Sequence, residues 1–134
     1  MKKRLTPTEA RELLRQAREA MSRALPAVSD FPVGAALRTA DGRVYEGCNV
    51  ESPSLLQVFC AERVALLAAL SQGERAFTHL AVVAAKMTPI APCGLCRQML
   101  AEFAPDILVV TADAAGKIRQ WPLAHYFPEA FEGP

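Results

Sequence analysis

The 134-residue sequence holds one tryptophan, two tyrosines and two histidines, no surplus of either charge, and no strongly apolar run longer than VALLAAL. Each shortage excludes something. Fifteen basic against fourteen acidic residues, a net charge of +1, supply no field for a polyanion, so no nucleic-acid partner is expected and a small, near-neutral ligand fits better. VALLAAL falls well short of a membrane span, and the basic start MKKRLTPTEARELL lacks the apolar core of a signal peptide. A cytoplasmic protein with no membrane partner is the expectation, with MKKR as a solvated tail. Neither an internal repeat nor a low-complexity linker is present, and the length is too small for two independent cores, which predicts one domain over residues 1–134. Hydrophobic residues at 51% and charged ones at 22% are far from the composition of a disordered chain.

Four cysteines remain to be explained. In a reducing compartment they read as metal ligands, catalytic groups or core residues rather than disulfides. Cys48, on a strand pattern beside Gly47, reads as a small core residue. His79 and His125 stand far along the chain from the other cysteines and next to strand or turn signals, so neither is expected to join them.

Periodicity places those cysteines. TPTEARELLRQAREAMSRAL opens with Thr6 as N-cap, Pro7 at the first helical position and Glu9 closing a capping box. Its apolar residues Leu13, Leu14, Ala17, Ala20, Met21 and Ala24 share one face of a helix ending before Pro26. FPVGAALRTADGRVYEGCNV predicts a hairpin, with strands near Val33–Leu37 and Val44–Cys48 around an Asp41-Gly42 turn. ESPSLLQVF reads as a loop, followed by a helix from about Cys60 to Leu70 that stops at Gly73. HLAVVAA and ILVVTA are buried strands by their continuous apolar character, and CGLCRQMLAEF between them is a helix. The tail carries a last short strand and a turn of helix at Pro122. Two leading strands, then helix, strand, helix and strand, predict an α/β fold, a three-layer α/β/α sandwich around a mixed sheet.

Two of the helices begin at thiols. Cys93 and Cys96, three apart on a first turn, can turn both sulfurs toward one ion, and the partial positive charge of a helix N-terminus favours the thiolate that binds metal. CxxC alone is equally compatible with a redox dithiol or with two buried cysteines. Cys60 at the mouth of the other helix adds a third sulfur, and Glu62 stands two residues beyond it. Tetrahedral zinc held by three protein ligands keeps one position open for water, whose pKa can then fall to about 7, and a nearby carboxylate can carry the proton.

The runs FPVGAAL, GCNVES, CAERVALL, PCGLCRQ and FPEAFEGP, in that order, make the chain resemble the cytidine deaminase family of zinc hydrolases over nearly its whole length. The resemblance implies a five-stranded mixed sheet, one Zn²⁺ per chain on Cys60, Cys93 and Cys96, and Glu62 as the proton shuttle for attack at C4 of cytosine. It implies Asn49 and Glu51 at the ribose, Ala61 at the pyrimidine edge, Phe31 beside the base, and Phe131 lent to a neighbouring subunit's pocket in a homotetramer. Three thiolates leave zinc with one excess negative charge. Arg63 resembles the family's arginine that hydrogen-bonds those sulfurs, and Arg97 is expected to assist from nearby. Many members carry tyrosine where this chain has Val28 and Leu55, which makes the sugar's far end more apolar. A cytosine nucleoside in pyrimidine salvage is the expected substrate, with a modified cytosine nucleoside or blasticidin S as the alternative. A zinc-stabilised binding module would need a fourth protein ligand, and a nucleic-acid-editing deaminase would need a basic groove. Trp121 has no assignable task beyond packing.

Overall fold

The computed structural model describes residues 4–54, 57–86, 90 and 94–130. Its first helix, α1 (Pro7–Met21), begins as the capping box requires. The Thr6 hydroxyl accepts from Glu9 N at 3.2 Å, and the Glu9 carboxylate accepts from Thr6 N at 2.9 Å. Ala10, Leu13, Leu14, Ala17 and Ala20 form its buried stripe. The helix stops at Met21, a turn earlier than the apolar pattern suggests, because Leu25–Pro26 leaves it as a short extended segment, β1.

After β1 come β2 (Val33–Thr39), β3 (Val44–Cys48), β4 (Val50–Glu51), β5 (Val58–Phe59), α2 (Ala61–Ser71), β6 (Phe77–Ala84), α3 (Gly94–Phe103), β7 (Leu108–Ala112), β8 (Ile118–Pro122) and α4 (Leu123–Tyr126). The main sheet has five strands in the order β3-β2-β6-β7-β8. Strands β2/β3, β2/β6 and β7/β8 run antiparallel, and β6/β7 run parallel with α3 as the crossover. A mixed sheet of this kind follows from two connection types, since a short turn reverses direction and a helix restores it.

Side-chain alternation sorts the core into two layers. From β2, Val33, Ala35 and Leu37 join Leu80, Val82 and Val109 beneath α2 and α3. Ala36, Ala81 and Val110 face the opposite side, beneath α1. His79, which alternates with Leu80, belongs to the α1 side, where it is buried. The segment expected to be only a loop contributes more order than that, for β4 pairs antiparallel with β5 and parallel with β1 in a second sheet ordered β1-β4-β5. Pairs of two residues are too short for a period-2 pattern to reveal.

Backbone approaches backbone at two glycines. A Cβ on Gly34 would strike the Ala17 carbonyl oxygen of α1, and one on Gly47 would lie 2.5 Å from both the Ala61 carbonyl oxygen and the Ala65 amide of α2. Ala61, Ala65 and Ala69 are fully buried on α2, so small residues on both surfaces let this helix rest directly on the sheet. At the chain's extremities, the Gln120 side chain accepts from Leu5 N at 2.7 Å and donates to Leu5 O at 2.8 Å, joining the strap before α1 to β8.

Gly47→Ala forces helix and strand apart, and overpacking of this kind costs about 1–3 kcal/mol. Urea unfolding followed by circular dichroism is expected to show that loss.

Candidate active site

The close seat of α2 decides where its first residues sit. Cys60 is the N-cap, extended at φ −71° and ψ 151°, and its sulfur does not cap the helix. Ala61 and Glu62 open the first turn, with relative exposures of 0% and 4%. A glutamate so close to a helix N-terminus is favoured by the partial positive charge there. Both line a cavity of about 280 Å³, together with Cys60, Val58 and Phe59 from the rim, Ile90, and Ser29, Phe31, Val33, Asn49 and Glu51 from the other wall.

Cys96 lies in the first turn of α3 and is fully buried. It meets Cys60 at a shared cation. Arg63 donates to Val58 O at 3.1 Å and approaches Cys60 Sγ at 3.9 Å. Burial acts to lower the Arg63 pKa, but hydrogen bonding and charge from Cys60 and then Cys96 outweigh it and hold the guanidinium above its ordinary value. The same guanidinium stands 5.7 Å from the Phe59 ring centroid, within cation–π range. Its Nε is buried and has no hydrogen-bond partner among the described residues.

Two thiols drawn together at helix mouths against a guanidinium are a donor set suited to zinc. Thiolates are its soft ligands, helix N-termini favour the thiolate, and a buried N–H awaiting an acceptor is the outer support that a sulfur-rich centre needs. Cys93, the third expected ligand, lies outside the described residues, as do Leu55 and Phe131. Arg97 follows Cys96 on α3 and also reaches α4. It donates to Tyr126 O at 2.8 Å and sits 5.8 Å from the Tyr126 ring, tying α3 to α4. Cys48 follows Gly47 on β3 and so faces the α1 side, near the Arg23–Glu46 ion pair. His125 stacks on Trp121 with centroids 4.2 Å apart, and Arg119 covers the other partner of that stack at 4.8 Å from the Trp121 ring. Among the described residues, neither histidine lines the cavity.

The same cavity is also lined by a polar knot. Glu51 accepts from Val28 N at 3.1 Å, Ser29 N at 2.8 Å, Ser29 Oγ at 2.8 Å and Asn49 Nδ2 at 3.0 Å. Asn49 donates its second amide hydrogen to Phe31 O and accepts from Val33 N, both at 2.9 Å. Buried side-chain amides normally fill their hydrogen bonds in this way. The pair therefore shapes the segment that carries Phe31, whose neighbour Asp30 takes a left-handed φ of 53°. Burial pushes the Glu51 pKa up, yet the donors from Ser29, Asn49 and Val28 prevail and hold it below the ordinary 4.5. Sequence reasoning singles out Asn49 and Glu51 but passes over Ser29, whose place in AVSDF carries no periodic or motif signal.

Comparison with known proteins follows the same residues. A family model described as the cytidine and deoxycytidylate deaminase zinc-binding region matches residues 7–112. A cytidine deaminase of Sporosarcina psychrophila is 40% identical over 92% of this chain and 91% of that protein. One from Halalkalibacterium halodurans is 41% identical over 89% and 91% respectively. The crystal structure of cytidine deaminase from Burkholderia pseudomallei superposes with a TM-score of 0.85 at 42% identity, covering 95% of this chain and 100% of that one.

A folded-state pKa below the ordinary value means that Glu51 contributes stability above about pH 4.5, where it is ionised in both folded and unfolded states, and loses that contribution as pH falls through its folded value. Glu51→Gln is expected to cost about 1–3 kcal/mol at pH 7. Urea unfolding of variant and wild type should converge as the solution is acidified.

Proposed function

The chain belongs to the cytidine and deoxycytidylate deaminase family, and on that premise we propose that it deaminates a free cytosine nucleoside, cytidine or deoxycytidine, to the uracil nucleoside and ammonia. It is a zinc-dependent hydrolytic deaminase by family. The observation that carries the substrate reading is one cavity lined both by the Cys60–Glu62 turn and by the Ser29–Asn49–Glu51 knot. A nucleoside has the same two ends, a ring amine to be replaced and a sugar to be held.

Cys60, Cys93 and Cys96 would hold the zinc, which when bound supplies a Lewis acid able to ready water for attack near neutral pH. Glu62 would take a proton from the attacking water and pass it to ring N3 as the C4–O bond forms, then take the second proton from the new C4 hydroxyl and deliver it to the amine as the C4–N bond breaks and ammonia leaves. Its burial keeps this traffic away from bulk solvent, and the amide of Ala61 adjoins the pyrimidine edge. Arg63 withdraws charge from the sulfurs by hydrogen bonding, offsetting the surplus that three thiolates would create. Phe31, Val33 and Ile90 give the base an apolar wall, and the polar knot receives the sugar.

A cavity of this size at the rim of a near-neutral chain supports a small substrate over a nucleic acid. Leu25, Val50 and Phe59, exposed at 61%, 37% and 40%, stand in one register across β1, β4 and β5 beside the cavity. Such an apolar row supports a homotetramer in which a neighbour covers it, with Phe131 completing an adjoining pocket. We further read the 134 residues as one zinc-dependent domain acting in pyrimidine salvage in the cytoplasm. Among the described residues, no helix is long and apolar enough to cross a membrane.

Glu62→Gln should retain one zinc per chain by atomic absorption while kcat falls about 10²–10⁴-fold; full turnover in that variant would remove the assigned role. Cys96→Ser should lose zinc and activity together. Ammonia release from cytidine, deoxycytidine, cytosine and blasticidin S tests the substrate, and blasticidin S as the sole substrate would overturn the nucleoside assignment.

A further inference from the structure

Arg63 stands where its own helix does not favour a cation. It lies in the first turn of α2, beside the positive end of the helix, and burial also acts against its charge. Its placement therefore depends on groups outside the helix. Two of them belong to β5, the short strand that leads into Cys60. Val58 O accepts from Arg63 Nη2 at 3.1 Å, and the Phe59 ring centroid lies 5.7 Å from the guanidinium carbon. The same Nη2 is 3.9 Å from Cys60 Sγ. Pairing with β4 fixes β5 in turn, with Phe59 opposite Val50 and Val58 opposite Glu51. One strand thus presents a sulfur and clamps the cation that faces it. The Val58 carbonyl by itself would leave the guanidinium free to pivot about a single hydrogen bond. A flat cation set against the negative face of an aromatic ring loses that freedom, and an aliphatic side chain at position 59 would give packing without the attraction.

We propose that Phe59 is a positioning residue for the metal centre, its ring holding the Arg63 guanidinium against the sulfurs of Cys60 and Cys96 and so slowing the loss of zinc. Three thiolates around a divalent ion leave one surplus negative charge in a site shielded from water, and a buried charge without a partner is costly. A guanidinium kept beside the sulfurs offsets that surplus, whereas one that swings into solvent does not. The attraction between ring and guanidinium is the same with or without the metal, so the arginine is already in place when the ion arrives and less order is lost on binding.

This assignment rests on the zinc centre of the proposed function, and the transfer of zinc from loaded protein to excess 4-(2-pyridylazo)resorcinol separates the two without any substrate. Phe59 is 40% exposed, so its contact belongs to the weaker, solvated kind, and Phe59→Leu is expected to speed zinc loss about two- to fivefold. Phe59→Tyr keeps the ring and should hold the wild-type rate. In an Arg63→Gln background, where loss is already faster, Phe59→Leu should add nothing further. Equal acceleration in both backgrounds would mean that the ring only supports its strand. An unchanged rate in Phe59→Leu, or a rate in Phe59→Tyr as fast as in Phe59→Leu, would mean that the ring does not hold the arginine. Each of these overturns the assignment and leaves the zinc deaminase intact. Wild-type protein that carries no zinc by atomic absorption would overturn the metal centre and the role of Phe59 with it.

Discussion

The arrangement depends on how closely α2 lies on β3. A hydrogen at Gly47, in place of any side chain, brings the strand against the Ala61 carbonyl and the Ala65 amide, and the first turn of α2 is thereby delivered to the sheet surface with Cys60, Ala61 and Glu62 on it. Cys60 and Glu62 travel with the first turn of α2, whose partial positive charge suits them, so displacing the helix by a methyl's width would carry both away from the strand and from the cavity wall that follows it. The pocket wall is also continuous with this contact, because β3 leads straight into Asn49 and Glu51. Packing by small residues is thus the condition for the chemistry rather than a background to it.

Charge is partitioned across the cavity by two different devices. At the sulfur end a long side chain, Arg63, is shared between Cys60, Cys96 and the Val58 carbonyl. The Glu51 side uses backbone amides and short side chains from the neighbouring loop, which have little conformational freedom to lose. Both ends keep negative groups buried, and each supplies its own donors. Neither relies on the exposed ion pairs scattered over α1 and the hairpin, which contribute little by comparison.

Long periodic segments were legible from the sequence: the capping box of α1, the hairpin around Gly42, both buried strands and the two helices opening near cysteine. Their signals are local, arising from spacing, caps and turns. The β1-β4-β5 sheet escaped because its strands are two residues long and owe their order to pairing between Leu25, Val50 and Phe59, positions distant along the chain. Within the site, Glu62 and the cysteines announce themselves by spacing and helix position. Ser29 does not, since its importance comes from a carboxylate 22 residues away, and Arg97 points to Tyr126 for a reason that only the tertiary packing of α3 on α4 supplies.

The clasp between Leu5 and Gln120 has a bearing on how the molecule is made. The backbone N–H and C=O of Leu5 are both satisfied by one side chain 115 residues later, and among the described residues β8 comes last in chain order of the five strands of the main sheet. A nascent chain emerging from the ribosome must hold the strap before α1 unfastened until β8 has been synthesised. The apolar face of α1 is in need of protection during that wait.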